Sequence, residues 1–282
     1  MTAVLTSAAP SAAAARPAPP SAARIALARV GLELKLFFRE RQQVVFSFAY
    51  PVIMLVIFAA VLGGDERPGD VPFTHYFLAG IAATGIMLTS FQAIGTSIAT
   101  ERENGQLERL QLLGTPPVAY FVGKAGQVLV TTAAQLALLL PLAHFAYDVP
   151  MPADLGHWLT FGWVAVLGAL AGMVLGVAVS ALRGSAASVA TGIAAFAIVL
   201  QFFSGVFFGF LELPGWMQQV AAVFPLKWLT QGMRSAFLPE QAGAFEVAGS
   251  WEHGRTVLVL LAWVIIGLVV CVRTFRWRRA EG

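Results

Sequence analysis

The chain has 282 residues, of which 58% are hydrophobic and only 12% charged, with a formal net charge of +3 and a mean hydropathy of +0.75. A soluble domain carries about 25% charged residues, so this composition excludes an ordinary soluble fold and points to an all-α membrane protein. The apolar runs are unbroken and about 20 residues long, unlike the short alternating strands of a β-barrel.

Residues 1–23 are mostly Ala, Pro and Ser, with Arg16 the one charged residue. They lack the apolar core of a signal peptide and read as a disordered tail. Residues 24–42 predict an amphipathic helix, with Leu27, Val30, Leu34, Phe37 and Phe38 at helical spacing. Such a helix lies in the membrane interface and helps to fix orientation. Six spans are then expected within 43–274, near 44–62, 73–99, 125–147, 158–182, 188–208 and 256–272. Pro51 is a candidate kink in the first. A basic tail, 275–282, closes the sequence. Cys271 is the single cysteine and the four histidines have no ligand spacing, so no disulfide or metal site is expected.

Orientation follows from Lys and Arg, which accumulate on the cytoplasmic side. With the N-terminus inside, fourteen of the eighteen fall on the inner side. The outer side has Arg67, Lys227, Arg234 and Arg255. Both termini and the loop 100–124 are therefore expected to be cytoplasmic in a multi-pass cell-membrane protein, with region 209–255 external. The positive charge follows this membrane pattern, so no nucleic-acid partner is implied. Within the external region, 213–224 is apolar but too short to span, and 226–238 is mixed. They are expected to be re-entrant or interfacial and to sit over the outer end of the bundle.

The stretch Glu101–Lys124 is the longest charged interruption of the apolar body. Each charge at a bilayer centre costs roughly 2.5–3.5 kcal/mol on insertion scales, so the stretch is expected to face water. Read as one helix, it puts Glu101, Arg102, Glu108 and Arg109 on one side and Leu107, Leu110 and Leu113 on the other. Thr115-Pro116-Pro117 ends it. Two readings stand: a helix that docks on a partner, and a solvated helix on the headgroups.

No G-x-x-x-x-G-K-[ST] occurs. Gly123-Lys124-Ala125 lacks the upstream glycine and the hydroxyl that reaches magnesium. Asp and Glu are confined to loops, which argues against ion coupling through mid-membrane carboxylates. Polar residues within spans are Thr89, Gln92, Thr131, Thr132, Gln135 and Gln201, and helix-to-helix hydrogen bonding accounts for such residues. Phe91, Phe196, Phe202 and Phe203 offer either an aromatic pathway or plain packing. Gly168, Gly172 and Gly176 form a small-residue row that lets helices approach closely.

ATERENGQLERLQLLGTPPVAYFVGK, after the second span, resembles the loop at the same place in type-2 ABC-exporter permeases. That class includes drug-resistance permeases and O-antigen or teichoic-acid exporters. SGVFFGFLELPGWMQQVAAVFPLKWLTQGMR resembles the class's stretch between the last two spans, with Pro214, Pro225 and Arg234 at its motif positions. Gly209 departs from the proline that many members have there. The resemblance implies a permease that binds no cofactor itself, with ATP and Mg on a separate ABC ATP-binding subunit. It further implies two permeases with two ATPases, as a homodimer. The loop would be the coupling helix, with Glu101, Arg102, Glu103, Gly105, Leu107, Glu108, Arg109 and Leu110 as ATPase contacts. The N-terminal helix would be the connecting helix, the Arg183–Ser185 turn a smaller cytoplasmic contact, and the external pieces a cap on the pathway. Because the second and fifth spans line the dimer axis in the class, Phe91, Gln92, Gln201 and Phe202 are the candidate pathway residues. The expected cargo is a lipophilic drug or natural product, with a lipid-linked glycan as the alternative. An intramembrane protease built on Ser204 and His144 lacks any supporting motif, and a passive channel lacks a charged ring or filter loop.

Overall fold

The computed structural model describes residues 22–64, 66–67, 71–182 and 184–274. The expected N-terminal tail, Arg183 and the 275–282 tail lie outside the described residues, apart from the tail's last two positions, 22 and 23. The fold is all-helical apart from a two-residue antiparallel pairing, Glu66–Arg67 with Val71–Pro72. Six helical stretches are long and apolar enough to cross a membrane, in agreement with the sequence reading.

Helix α1 (Ala22–Arg39) is separated from α2 (Arg41–Leu62) by Glu40, whose φ/ψ of −79°/79° is not helical. Span 2 runs through α3 (Phe73–Met87), a π-helical segment at Leu88–Gln92, and α4 (Ala93–Glu103). A short α5 (Gln106–Leu112) follows. Helices α6 (Pro117–Tyr147), α7 (Leu155–Ser180) and α8 (Ala186–Phe203) are spans 3 to 5. Helices α9 (Gly215–Val223) and α10 (Pro225–Phe237) are short, and α11 (His253–Thr274) is span 6. Span 3 begins eight residues earlier than the hydropathy reading places it, because Pro117 stands at the first helical position. Proline fits there, since that N–H has no helical acceptor in any case.

Span 2 is the hub. Nearly all of it is buried, whereas α2, α8 and α11 leave most of their apolar surface uncovered. Glycines set how closely its neighbours approach. A Cβ on Gly172 would meet the Ser90 hydroxyl, and one on Gly176 would meet the Phe91 carbonyl. The small-residue row of α7 is thus a packing face, as its spacing predicts. Gly123 and Gly126 do the same for α1, whose Arg29 and Val30 lie directly over them on α6.

Helix α10 does more than cover the end of the bundle opposite the loop. All thirteen of its residues are buried. Its Leu229 lies against Gly168, halfway along α7, so the chain enters the bundle at Pro225 and leaves it after Phe237. The re-entrant expectation describes it; the picture of a lid over the bundle end does not. Region 209–255 is amphipathic in sequence because α10 packs against α3, α7 and α11 inside the bundle.

Candidate functional site: a buried ion cluster behind the loop

Three helices each direct an i,i+4 pair of polar side chains at one point, the spacing that stacks side chains on one helix face. Helix α1 supplies Arg29 and Glu33, α4 supplies Ser97 and Glu101, and α6 supplies Tyr120 and Lys124. The Lys124 ammonium is fully buried. It donates to Glu33 Oε2 at 2.8 Å, to Ser97 Oγ at 2.9 Å and to Glu101 Oε1 at 2.5 Å. The Tyr120 hydroxyl donates to Glu101 Oε2 at 2.8 Å, and Ser97 donates to Glu101 Oε1 at 3.0 Å. Arg29 pairs with Glu33 at 2.5 Å and lies 5.3 Å from the centre of the Tyr120 ring. Two cations and two carboxylates therefore neutralise each other away from water, although Arg29 Nε has no hydrogen-bond partner.

This corrects the water-facing reading of Glu101 and Lys124. The insertion cost was counted one residue at a time, and pairing removes most of it. Glu101 is 6% exposed, so its side chain is directed into the chain's own cluster and not toward an ATPase surface. Glu33, Ser97 and Tyr120 were not singled out in the sequence. Their i,i+4 spacings were the available signal, but nothing in the sequence said that three distant helices would bring them together.

The single-helix reading of the loop is also corrected. Helix α4 ends at Glu103, and Gly105 at φ 69° turns the chain before α5 begins. Arg102 and Glu103 bond within the chain: the half-buried Arg102 donates to the Ser180 carbonyl at the end of α7, and the exposed Glu103 accepts from the Ala186 N–H at the start of α8, at 3.1 Å. They clamp the α7–α8 turn to the loop. Leu107 is buried and Leu110 half-buried, so they anchor α5. Glu108 and Arg109 are exposed, and Leu112 and Leu113 are 86% and 80% exposed. Leu113 therefore belongs to the outer face, not with Leu107.

The four candidate pathway residues do not form one surface. Phe91 is fully buried and meets Phe196 edge-on at 5.9 Å. Gln92 is half-buried. Gln201 is buried and accepts from the Tyr50 hydroxyl at 2.9 Å, which ties span 5 to span 1. Phe202 is exposed and packs near Phe207. Among the mid-span hydroxyls, Thr89 and Thr132 bond each other at 3.0 Å, the helix-to-helix role expected of them.

At the far end of the bundle, Pro214 is exposed ahead of α9 and Pro225 is buried at the first position of α10. Arg234 is buried. Its guanidinium donates to Glu246 at 3.1 Å and to the Gly205 carbonyl, and lies 3.8 Å from the Tyr76 ring centre. Lys227 is also buried and donates to Gln231, with its ammonium 3.8 Å from the Trp228 ring. Burial pushes the Lys227 ammonium below its ordinary range, opposed by the carboxylates of Glu246 and Glu252. Arg234→Lys keeps the charge but loses the planar fork. It is expected to lower stability by about 1–3 kcal/mol, read as a lower unfolding midpoint of the purified chain; an unchanged midpoint would show that the fork is dispensable.

Asp154 caps α7 by accepting from the His157 N–H at 2.9 Å, and that bond holds its carboxyl below the usual range. Among the described residues, no three His, Cys, Asp or Glu side chains converge as metal ligands.

The comparisons agree with this architecture. The chain is 24% identical to a probable multidrug ABC transporter permease, YbhR, of Escherichia coli K12, over 58% of this chain and 42% of that protein. It therefore spans less than half of that relative's length. It is also 24% identical to the daunorubicin resistance ABC transporter permease protein DrrB1 of Streptomyces coeruleorubidus, over 94% of this chain and 91% of that protein. Residues 28–238, well over half of the chain, match the family described as ABC-2 type transporter. This span takes in α1 from residue 28, the ion cluster, the loop and the re-entrant α10, and the chain belongs to the ABC-2 type transporter family of membrane permeases.

Proposed function

We propose that this chain exports a lipophilic compound, driven by ATP hydrolysed on a separate subunit that docks on α5. The observation that carries the docking surface is the division of the loop. Glu101 is buried, and Arg102 and the exposed Glu103 are bonded to the α7–α8 turn, while Glu108, Arg109, Leu112 and Leu113 are presented outward on a helix held by Leu107. Exposed leucines flanked by one acid and one base fit a protein cleft better than water. The names of YbhR and DrrB1 support a drug-like cargo.

The loop end is assigned to the cytoplasm. Arg24, Lys35, Arg39, Arg41 and Arg109 are exposed there, whereas at the opposite end Lys227 and Arg234 are buried and hydrogen-bonded within the chain and the exposed Arg255 is paired with Glu252. Two copies are proposed to pair, since a single chain leaves the α2 and α8 faces joined by Tyr50 and Gln201 largely uncovered.

The experiment is charge reversal on the exposed face alone. Glu108→Lys with Arg109→Glu is expected to leave folding and membrane insertion intact. Cargo-stimulated ATP hydrolysis by the co-expressed subunit should fall at least ~tenfold, as like charges meet across the contact. Full stimulation with both charges reversed would refute docking through α5.

A further inference from the structure

Between α6 and α7 runs an elongated groove of about 660 Å³. On α6 its lining repeats every three to four residues from Leu129 to Phe145, and on α7 from Trp158 to Val166. At a rise of 1.5 Å per residue these walls are about 24 Å and about 12 Å long. The groove therefore lies parallel to the spans, in the half of the bundle opposite the loop. One leaflet of hydrocarbon is roughly 15 Å thick.

Small side chains hollow it. Ala133 and Ala137 form one wall and Gly162 and Ala165 the other. A Cβ placed on Gly162 would meet nothing within 4 Å, so the void begins at the backbone itself. The polar exceptions are Thr132, whose hydroxyl is engaged by Thr89, and His144, whose ring N–H donates to the Val149 carbonyl at 2.9 Å. Apolar walls of this kind favour hydrocarbon over water, and both walls are membrane spans. Trp158 and His144 stand at its open end, at the level where amphipathic rings meet headgroups.

We propose that the groove seats one acyl chain of a membrane phospholipid, with the headgroup at the Trp158–His144 end. The direction of the groove decides between occupants. A hydrocarbon tail already runs along the membrane normal and enters without reorientation, whereas a compact cargo would leave much of the length empty. The bound tail completes the packing between spans 3 and 4 along the groove.

The test reconstitutes the full chain in nanodiscs of phosphatidylcholine containing a phosphatidylcholine with a photoreactive diazirine on its tail. After irradiation, adducts are mapped by mass spectrometry. They are expected to concentrate on 129–145 and 158–166 relative to the lipid-facing residues of α11. Gly162→Phe fills the void and should reduce labelling of those two segments about tenfold, a change of ~1.4 kcal/mol in occupancy, with α11 labelling unchanged. Ala133→Phe, on the opposite wall, provides the same test if Gly162→Phe folds poorly. Even labelling of all lipid-facing spans, or groove labelling indifferent to both substitutions, would overturn the proposal. So would disulfide cross-linking between two chains carrying Gly162→Cys, which would place a second copy in the groove.

Discussion

Lys124→Met is expected to destabilise the chain by about 3–5 kcal/mol, the range for removing one partner of a buried ion pair. The ammonium is fully buried and touches Glu33, Glu101 and Ser97 at once. Without it, Glu33 retains Arg29, but Glu101 keeps only the Tyr120 and Ser97 hydroxyls and its charge has no counter-ion. The loss should be read as a lowered unfolding midpoint and faster hydrogen exchange in α1 and in the loop, the two elements that Lys124 joins. Adding Glu101→Gln should restore most of it, because a balanced pair has then been removed and Arg29 and Glu33 still balance each other. A single-variant loss below about 1 kcal/mol, the range of exposed pairs, would show that water reaches the cluster. Failure of the double variant to recover would place the cost in lost packing of the lysine stem instead of in charge.

The same cluster marks where sequence reading stopped. The six spans were legible because length and apolarity alone decide what crosses a bilayer, and the structure finds six. The loop was legible as the charged interruption, and the glycine row of α7 as a packing face. The direction of each loop side chain was not legible. Helical periodicity assumed one continuous helix, whereas the turn at Asn104–Gly105 rotates α5 relative to α4 and separates Glu101 and Arg102 from Glu108 and Arg109. Asn-Gly is a recognised turn signal, and Asn104-Gly105 is where the chain turns. The burial of Glu101 depended on a lysine 23 residues later and a glutamate on another helix. The re-entrant course of α10 was legible from its length, but the partners of its lysine and arginine, Gln231, Glu246 and the Gly205 carbonyl, were not, for the same reason. Residue-by-residue costs locate spans well, but cooperative pairing decides which charges are inside.

Gly176→Leu is expected to be the most damaging single change in the spans outside the cluster. A Cβ at this position would lie 2.5 Å from the Phe91 carbonyl oxygen and 3.1 Å from the Gly95 nitrogen, both backbone atoms. Side chains yield by changing rotamer, but here a helix axis must move. Gly95 repeats the constraint from the other side, since its own Cβ would come 3.1 Å from the Gly176 carbonyl. Phe91 belongs to the π-helical segment Leu88–Gln92. The widened turn of such a segment displaces the backbone locally, and the absence of a side chain at Gly176 accommodates that displacement. Overpacking a core costs about 1–3 kcal/mol when side chains can shift, and this contact belongs at or above the top of that range. Gly192→Leu in α8 is the matched control. Its Cβ would meet nothing within 4 Å, so it should be neutral or should gain up to about 1 kcal/mol of helix propensity. Comparing the unfolding midpoints of the two variants separates backbone contact from any general intolerance of leucine for glycine. Equal midpoints would mean that α7 and span 2 are not held as closely as this geometry requires, and that the π-helical segment is free to relax without α7.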